Sequence, residues 1–241
     1  MKYLDSRRIG WDTETTSKDP AEARIVTAAL VGRGGVSPDR VQTWLINPGV
    51  PIPPETTAIH GVDDERAMAE GQDPQSALEE IADTLAKAID YGMPIVAYNT
   101  AYDWSVLHHE LVRHGLRPVA DRIHMDEPYT LLDPHVVDKQ VDRYRKGSRK
   151  LQTVAEHYGV QLTDWHTADA DAAAALGIAD ELYRRYPQLD EMGPKQLYAA
   201  QKAWRAEQQA GLQEYLRRTK PTAVCDPAWP LTIPQPRKEG Q

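Results

Sequence analysis

Apolar and polar positions along this chain follow two periods. Near the amino terminus they alternate or form short apolar runs, which predicts strands over "RRIGWDTE" from Arg7, "RIVTAALVG" from Arg24 and "VQTWLI" from Val41. The short links between them suit antiparallel pairing. "NPGVPIPPETTAIHG" is rich in proline and reads as a loop. Leu78, Ile81, Leu85 and Ile89 then recur at helical spacing within "PQSALEEIADTLAKAI". "PIVAYN", 94–99, is a compact apolar strand, and "DWSVLHHELVRHG" reads as a helix closed by Gly115. Past a loop rich in Asp and Pro, "KLQTVAEHYGV" predicts a helix ended by Gly159, and "TADADAAAALGIADELYRRY" a long one stopped by Pro187. Antiparallel strands followed by alternating strand and helix indicate an α/β domain, a mixed sheet flanked by helices.

From Pro187 the pattern changes. "KQLYAAQKAWRAEQQAGLQEYLRR" is a polar amphipathic helix, and "DPAWPLTIPQPRKEGQ" reads as partly irregular. The expected division is a domain over 1–186 and a C-terminal helical extension with a Pro-rich tail over 187–241. Leu197, Trp204, Leu212, Tyr215 and Leu216 on that helix would either cover their own domain or bind a partner. The 241 residues, 41% hydrophobic and 27% charged, suffice for a proper core. Cys225 is the single cysteine, so no internal disulfide framework or zinc-finger spacing exists, and a reducing, cytoplasmic setting is the default. No signal peptide or membrane-spanning run is expected. A net charge of −8 argues against nonspecific binding to a DNA backbone, but not against an acidic active site whose charge bound cations reverse. The absence of Phe beside 6 Trp and 11 Tyr has no physical account.

Acidic residues interrupt the apolar faces. Strand alternation points Gly10, Asp12 and Glu14 one way and Ile9, Trp11 and Thr13 the other. In the last long helix Asp171 heads a stripe with Ala175, Ile178 and Leu182 that should pack on the core; Asp169 lies in line with Ala173, Leu176 and Asp180 on a face read as solvated. Asp103 sits in a first helical turn beside Val106 and Leu107, pointing inward. Taken singly, Asp103 and Asp171 could serve the helix dipole, and Asp12 with Glu14 could mark an exposed edge strand. Taken together they pose an energetic problem. Two unit charges about 4 Å apart repel by roughly 4 kcal/mol at an effective dielectric of 20, against a domain stability of only about 5 to 15 kcal/mol. Either the four never meet or cations sit among them, and oxygen-only ligands favour Mg²⁺ or Mn²⁺.

"DTETT" at 12–16, "NTAYD" at 99–103 and "HTADAD" at 166–171 resemble, in order, the three motifs of the DEDDh exonuclease family, the group containing the proofreading epsilon subunit of bacterial DNA polymerase III. "AIHGV" at 58–62 and "KGSRKLQTVAEHYGV" at 146–160 extend the resemblance to about residues 7–186. It implies a ribonuclease H-like fold in which Asp12, Glu14, Asp103 and Asp171 hold two metal ions, with His166 as general base. It also implies release of nucleoside 5′-monophosphates from a 3′ end, DNA favoured and RNA possible. Thr15, His60, Asn99 and Tyr102 match positions that line the terminal nucleotide. Tyr102 is equally explained by core packing and Asn99 by capping the next helix. "RYRKGSRK", 143–150, would neutralise substrate phosphates or form a solvated loop, the second being favoured. Ser17 stands where the family usually has Gly, so its backbone must avoid conformations that only Gly takes readily. The tail carries no convincing sliding-clamp motif. Competing readings are an exoribonuclease of the same family and a non-catalytic subunit associated with a DNA polymerase.

Overall fold

The computed structural model describes residues 2–161 and 166–232. Its sheet has five strands, β1 (Arg8–Thr15), β2 (Ile25–Arg33), β3 (Arg40–Leu45), β4 (Ile95–Val96) and β5 (Leu131–Leu132), in the order β3-β2-β1-β4-β5. The first three pair antiparallel, whereas β4 and β5 add parallel to β1, so the mixed sheet expected from the pattern is what forms. This is the ribonuclease H-like fold. Alternation sorts the strands onto two layers. Trp11, Leu30, Ile95 and Leu131 face α3 (Pro74–Asp90) and α4 (Thr100–Arg113). Val31, Val96 and Leu132 face α6 (Leu151–Tyr158) and α7 (Ala168–Arg185).

The structure departs from the sequence pattern at several places. "NPGVPIPPETTAIHG" contains α1 (Pro54–His60), with Pro54 at its first turn and no buried residue, so no apolar period marked it. α2 (Asp64–Glu70) follows, capped by the Asp63 carboxylate on Arg66 N. The loop rich in Asp and Pro supplies β5 and α5 (Pro134–Val141), whose N-cap Asp133 accepts from His135 N and Val136 N. A strand over 94–99 shrinks to Ile95–Val96 because Asn99 turns left-handed, at φ 64° and ψ 46°. The face holding Asp169, Leu176 and Asp180 is not solvated. Leu176 is fully buried, and Asp180 receives a two-pronged ion pair from buried Arg8 at 2.7 and 2.8 Å. A guanidinium from the facing strand β1 gives that carboxylate a partner that helical spacing alone could not show.

The segment beyond Pro187 closes the edge of the sheet. In α8 (Pro194–Arg217) the Gln201 side chain accepts from Asp133 N at 2.7 Å and donates to Leu131 O at 3.1 Å, so an amide stands in for the strand that β5 lacks. Tyr198 and Trp229 join the core cluster around Trp11, and the Trp229 indole donates to Asp133 Oδ2 at 3.3 Å. Leu197 is buried, whereas Leu212 and Tyr215 stay exposed. Residues 233–241 of the Pro-rich tail lie outside the described residues. The basic stretch 143–150 is largely structural: Arg145 and Arg149 meet the fully buried Asp138 at 2.7 and 2.5 Å. Among the described residues no helix is long and apolar enough to cross a membrane.

Gln201→Leu, which orphans an edge donor and an edge acceptor, should lower stability by about 2 to 4 kcal/mol in urea unfolding. A wild-type midpoint would show that water satisfies the edge. His135 gives a pH signature. Burial, then the charges of Lys139 and Arg205, push its imidazole down to about 3. Between the unfolded value of about 6.5 and the folded value, the unfolded chain binds a proton that the folded chain refuses. The contribution is therefore complete above that range and lost as pH falls through it, by at most about 1.4 kcal/mol per pH unit. His135→Phe should lose less stability than wild type between pH values of about 6.5 and 4.5, and parallel curves would exclude His135 as the source.

Candidate active site

Strand β1 and helix α7 meet at a residue without a side chain. A Cβ on Gly10 would lie 2.5 Å from the carbonyl oxygen of Ala172 and 3.0 Å from Leu176 Cδ1, so glycine alone lets the α7 backbone rest on the strand. Gly10, Asp12 and Glu14 share that strand face, and Asp171 immediately precedes Ala172. The close approach thus delivers the α7 carboxylate to the two on β1. Asp103 arrives from the first turn of α4, buried, with Oδ1 accepting from Thr13 N at 3.1 Å and from Thr13 Oγ1 at 2.7 Å. The residue between Asp12 and Glu14 is what anchors it.

All four carboxyls are raised by burial, and Asp12 and Glu14 also by the charges of other site acids. Burial, followed by the charges of Asp103, Asp171 and Glu14, raises Asp12 well above the ordinary carboxylate range. Burial and the charges of Asp171 and Asp103 push Glu14 up to about 8. Asp103 is pushed up to about 7, burial outweighing the Thr13 hydrogen bonds. Asp171 is raised by burial and partly restored by His166. Glu14, His166 and Asp171 each offer a ligand atom within 4.8 Å of the other two. Oxygen donors of this density, each burdened by its neighbours' charge, suit a hard divalent cation.

His166 is exposed and left-handed, at φ 60°. It and Asn99 are the non-glycine residues with positive φ among those described, and each stands just ahead of a helix that carries a site carboxylate. Such backbone costs of order 1 to 3 kcal/mol and persists where surrounding structure enforces it. Thr15 and Tyr102 are brought together, the tyrosine hydroxyl 2.5 Å from Thr15 Oγ1 and also donating to Ser17 O. Ser17 adopts no positive φ, as its substitution for glycine requires. His60 ends α1, its Nδ1 accepting from Val62 N at 3.2 Å, and lines a cavity of about 200 Å³ with His166, Trp44, Arg66 and Asp169. Asn99 does not cap α4 through its side chain; its N donates to Asp133 Oδ1 at 3.0 Å and its Oδ1 accepts from Arg205 at 3.4 Å.

Three contributors escaped sequence reasoning. Gly10 had a signal, since glycine inside a strand marks a close backbone approach. Asp133 had one in its Asp-Pro dipeptide, the pairing of an N-cap with a first-turn proline. Arg205 had none, because nothing local ties residue 205 to residue 99.

A profile described as "Exonuclease" matches residues 9–179. The chain belongs to this exonuclease family, and its motifs are of the DEDDh type. Over 186 residues, 75% of the chain and 90% of the relative, it is 31% identical to an uncharacterized exonuclease, CP81, of Escherichia phage 186. It is 28% identical over 167 residues to a PolC-type DNA polymerase III of Lacticaseibacillus paracasei, matching 10% of that protein. Among solved structures, E. coli Exonuclease I in complex with a dT13 oligonucleotide superposes at a TM-score of 0.65 with 21% identity. That match takes in 76% of this chain and 42% of Exonuclease I, so the family chain spans less than half of that enzyme, and the likeness is one of fold.

For the exonuclease site the Gly10 contact gives a direct trial. Gly10→Ala must displace α7 from β1, because the obstructing atom is backbone carbonyl, and a shift near 1 Å at a reacting centre costs about 10²-fold in rate. Turnover should fall by that order while the circular dichroism spectrum stays native. An unchanged rate would mean that the β1–α7 approach does not set the site.

Proposed function

We propose that this chain is a metal-dependent 3′-to-5′ exonuclease releasing nucleoside 5′-monophosphates from single-stranded or frayed DNA ends. The catalytic unit is residues 1–186, with 187–241 as a C-terminal extension whose helix α8 covers its sheet edge. Asp12, Glu14, Asp103 and Asp171 would hold two divalent ions, Mg²⁺ or Mn²⁺. One observation carries the reading: Glu14 on β1 and His166 and Asp171 at the start of α7 each offer a ligand atom within 4.8 Å of the other two, beside an Asp12 carboxyl raised by burial and by the charges of Asp103, Asp171 and Glu14. A domain of ordinary stability tolerates that crowding when cations share the space. Bound there, the ions would supply Lewis acidity and neutralise charge on the phosphate and on the leaving 3′ oxygen.

The chain's own groups do the rest. An imidazole nitrogen of His166 takes the proton of the attacking water as the new bond to phosphorus forms. The bond to the 3′ oxygen breaks on the opposite side, and that oxygen is protonated from solvent. His166 can approach from solvent because its turn leaves it exposed. Tyr102, with its hydroxyl fixed by Thr15 and Ser17, presents an immobilised ring against which a terminal base or sugar could stack. Asn99 and His60 are the remaining candidates for terminal-nucleotide contacts. The oligonucleotide in the Exonuclease I complex supports a nucleic-acid substrate. The PolC-type likeness supports, more weakly, association with a DNA polymerase.

Digestion of 5′-labelled DNA and RNA strands of equal sequence, with Mg²⁺, Mn²⁺ or EDTA, tests this. Ladders shortening from the 3′ end, faster on DNA and abolished by EDTA, are expected; RNA cleavage alone would make the chain an exoribonuclease. Asp12→Ala should abolish turnover without lowering the melting temperature measured in EDTA, since it relieves repulsion. Mn²⁺ should raise the melting temperature of wild type but not of this variant. His166→Ala should slow the chemical step by about 10² to 10⁴-fold and keep the Mn²⁺ shift. Full activity in Asp12→Ala would overturn the metal assignment.

A further inference from the structure

A second concentration of like charge lies between α5 and α8. Lys139, Arg143, Arg145 and Arg149 line a cavity of about 240 Å³ there, together with Glu207 and Gln208. The three arginines are each answered by a carboxylate. Arg143 meets Glu207 at 2.7 Å, and Arg145 and Arg149 share the buried Asp138, with Arg145 also 3.0 Å from Asp142. Among the described residues Lys139 has no carboxylate within 4.0 Å. Its ammonium is only partly exposed, and it is driven towards losing its proton by burial, then by Arg205 and Arg149. Cations crowded round an unanswered ammonium repeat the logic of the acidic site with the sign reversed. The missing partner is an anion, and one surplus positive charge matches the single charge of a phosphodiester.

Placement says which phosphodiester. The Tyr98 hydroxyl donates to Arg149 O at 2.5 Å, and Arg205, whose charge weighs on Lys139, reaches Asn99 Oδ1 at 3.4 Å. The cavity is therefore tied to the 98–99 segment that leads into the helix of Asp103. Arg145 and Arg149 are spent on Asp138 and contribute field, which leaves Lys139 as the free donor, helped by the exposed Arg143.

We infer that the α5–α8 cavity seats a backbone phosphate of the substrate strand, 5′ of the terminal nucleotide, with Lys139 as its principal contact. This rests on the exonuclease reading and adds to it a role for the C-terminal helix, which forms one wall of the seat. Mobile phosphate groups of other origin would satisfy the same charge, so free inorganic phosphate is included as a competitor.

The test is equilibrium binding of a fluorescent oligothymidylate of about 12 nucleotides in EDTA, over a range of salt. Wild type is compared with Lys139→Gln and Lys139→Arg, each checked for an unchanged melting temperature. Lys139→Gln should weaken binding about five- to tenfold near 0.1 M salt and lessen the slope of log K against log salt by about 0.7, the value for one phosphate on a single strand. Lys139→Arg should restore both. The preference for this strand over a dinucleotide should shrink in Lys139→Gln. An unaltered slope and affinity in Lys139→Gln, in protein whose wild type digests the strand, would overturn the seat and leave the nuclease standing. So would competition by millimolar inorganic phosphate that is identical in wild type and Lys139→Gln, with no change in strand affinity. Wild type that neither binds nor digests the strand would sink the exonuclease reading, and the seat with it.

Discussion

Like charges held in a half-buried space are the constraint round which this molecule is arranged. Burial raises the cost of ionising Asp12, Glu14, Asp103 and Asp171, and the charges of Asp103 and Asp171 add to that cost at Asp12 and Glu14. Nothing in the folding of a hydrophobic core favours such a gathering. It is imposed by the backbone: a strand that alternates, a helix seated on Gly10, and a second helix whose first turn is hydrogen-bonded to Thr13. The energy that the carboxylates cost is offset by packing elsewhere, which makes the site a place where local stability yields to function.

The offset is visible in the polar interior. Arg8 of β1 and Asp180 of α7 pair beside the stacked rings of Tyr3 and Tyr183, 4.0 Å apart. Asp138 is saturated by Arg145, Arg149 and Tyr158. Asp133 gathers the α5 cap, the Asn99 backbone and the Trp229 indole, and Arg205 lies close enough to draw its charge. Through Asp133 the C-terminal extension is joined to the turn that precedes Asp103. The extension thus packs against the elements that carry the carboxylates, although it begins beyond the last residue matched by the family profile. Where buried acids are meant to be permanent, each finds a guanidinium or backbone donors. Of the four site acids Asp103 has the Thr13 donors, and Asp12 and Glu14 face the charges of other site acids.

Legibility followed the range of the interaction. β1 to β3, α3, α4, α6 and α7 announce themselves through runs and periods that arise within one element, and the mixed sheet follows from their order. α1 and α5 were hidden because prolines at their first turns resemble loop residues and, in α1, no side chain is buried. The face of Asp169 and Asp180 was misjudged because its polarity is cancelled by Arg8, 172 positions from Asp180. The basic stretch 143–150 looked solvated, since the acid that draws two of its arginines inward lies on a different helix.

The sequence by itself determined which side chains point together along each strand and helix, and the order of three acidic motifs, because alternation and helical period are local geometry. It therefore determined the family and the identity of the candidate ligands. The tertiary structure decided what those side chains meet: that Gly10 admits α7, that Thr13 holds Asp103, that Arg205 reaches Asn99, and that among the described residues Lys139 has no carboxylate within 4.0 Å. These depend on distances between residues far apart in the chain, and such distances are fixed only when the layers pack.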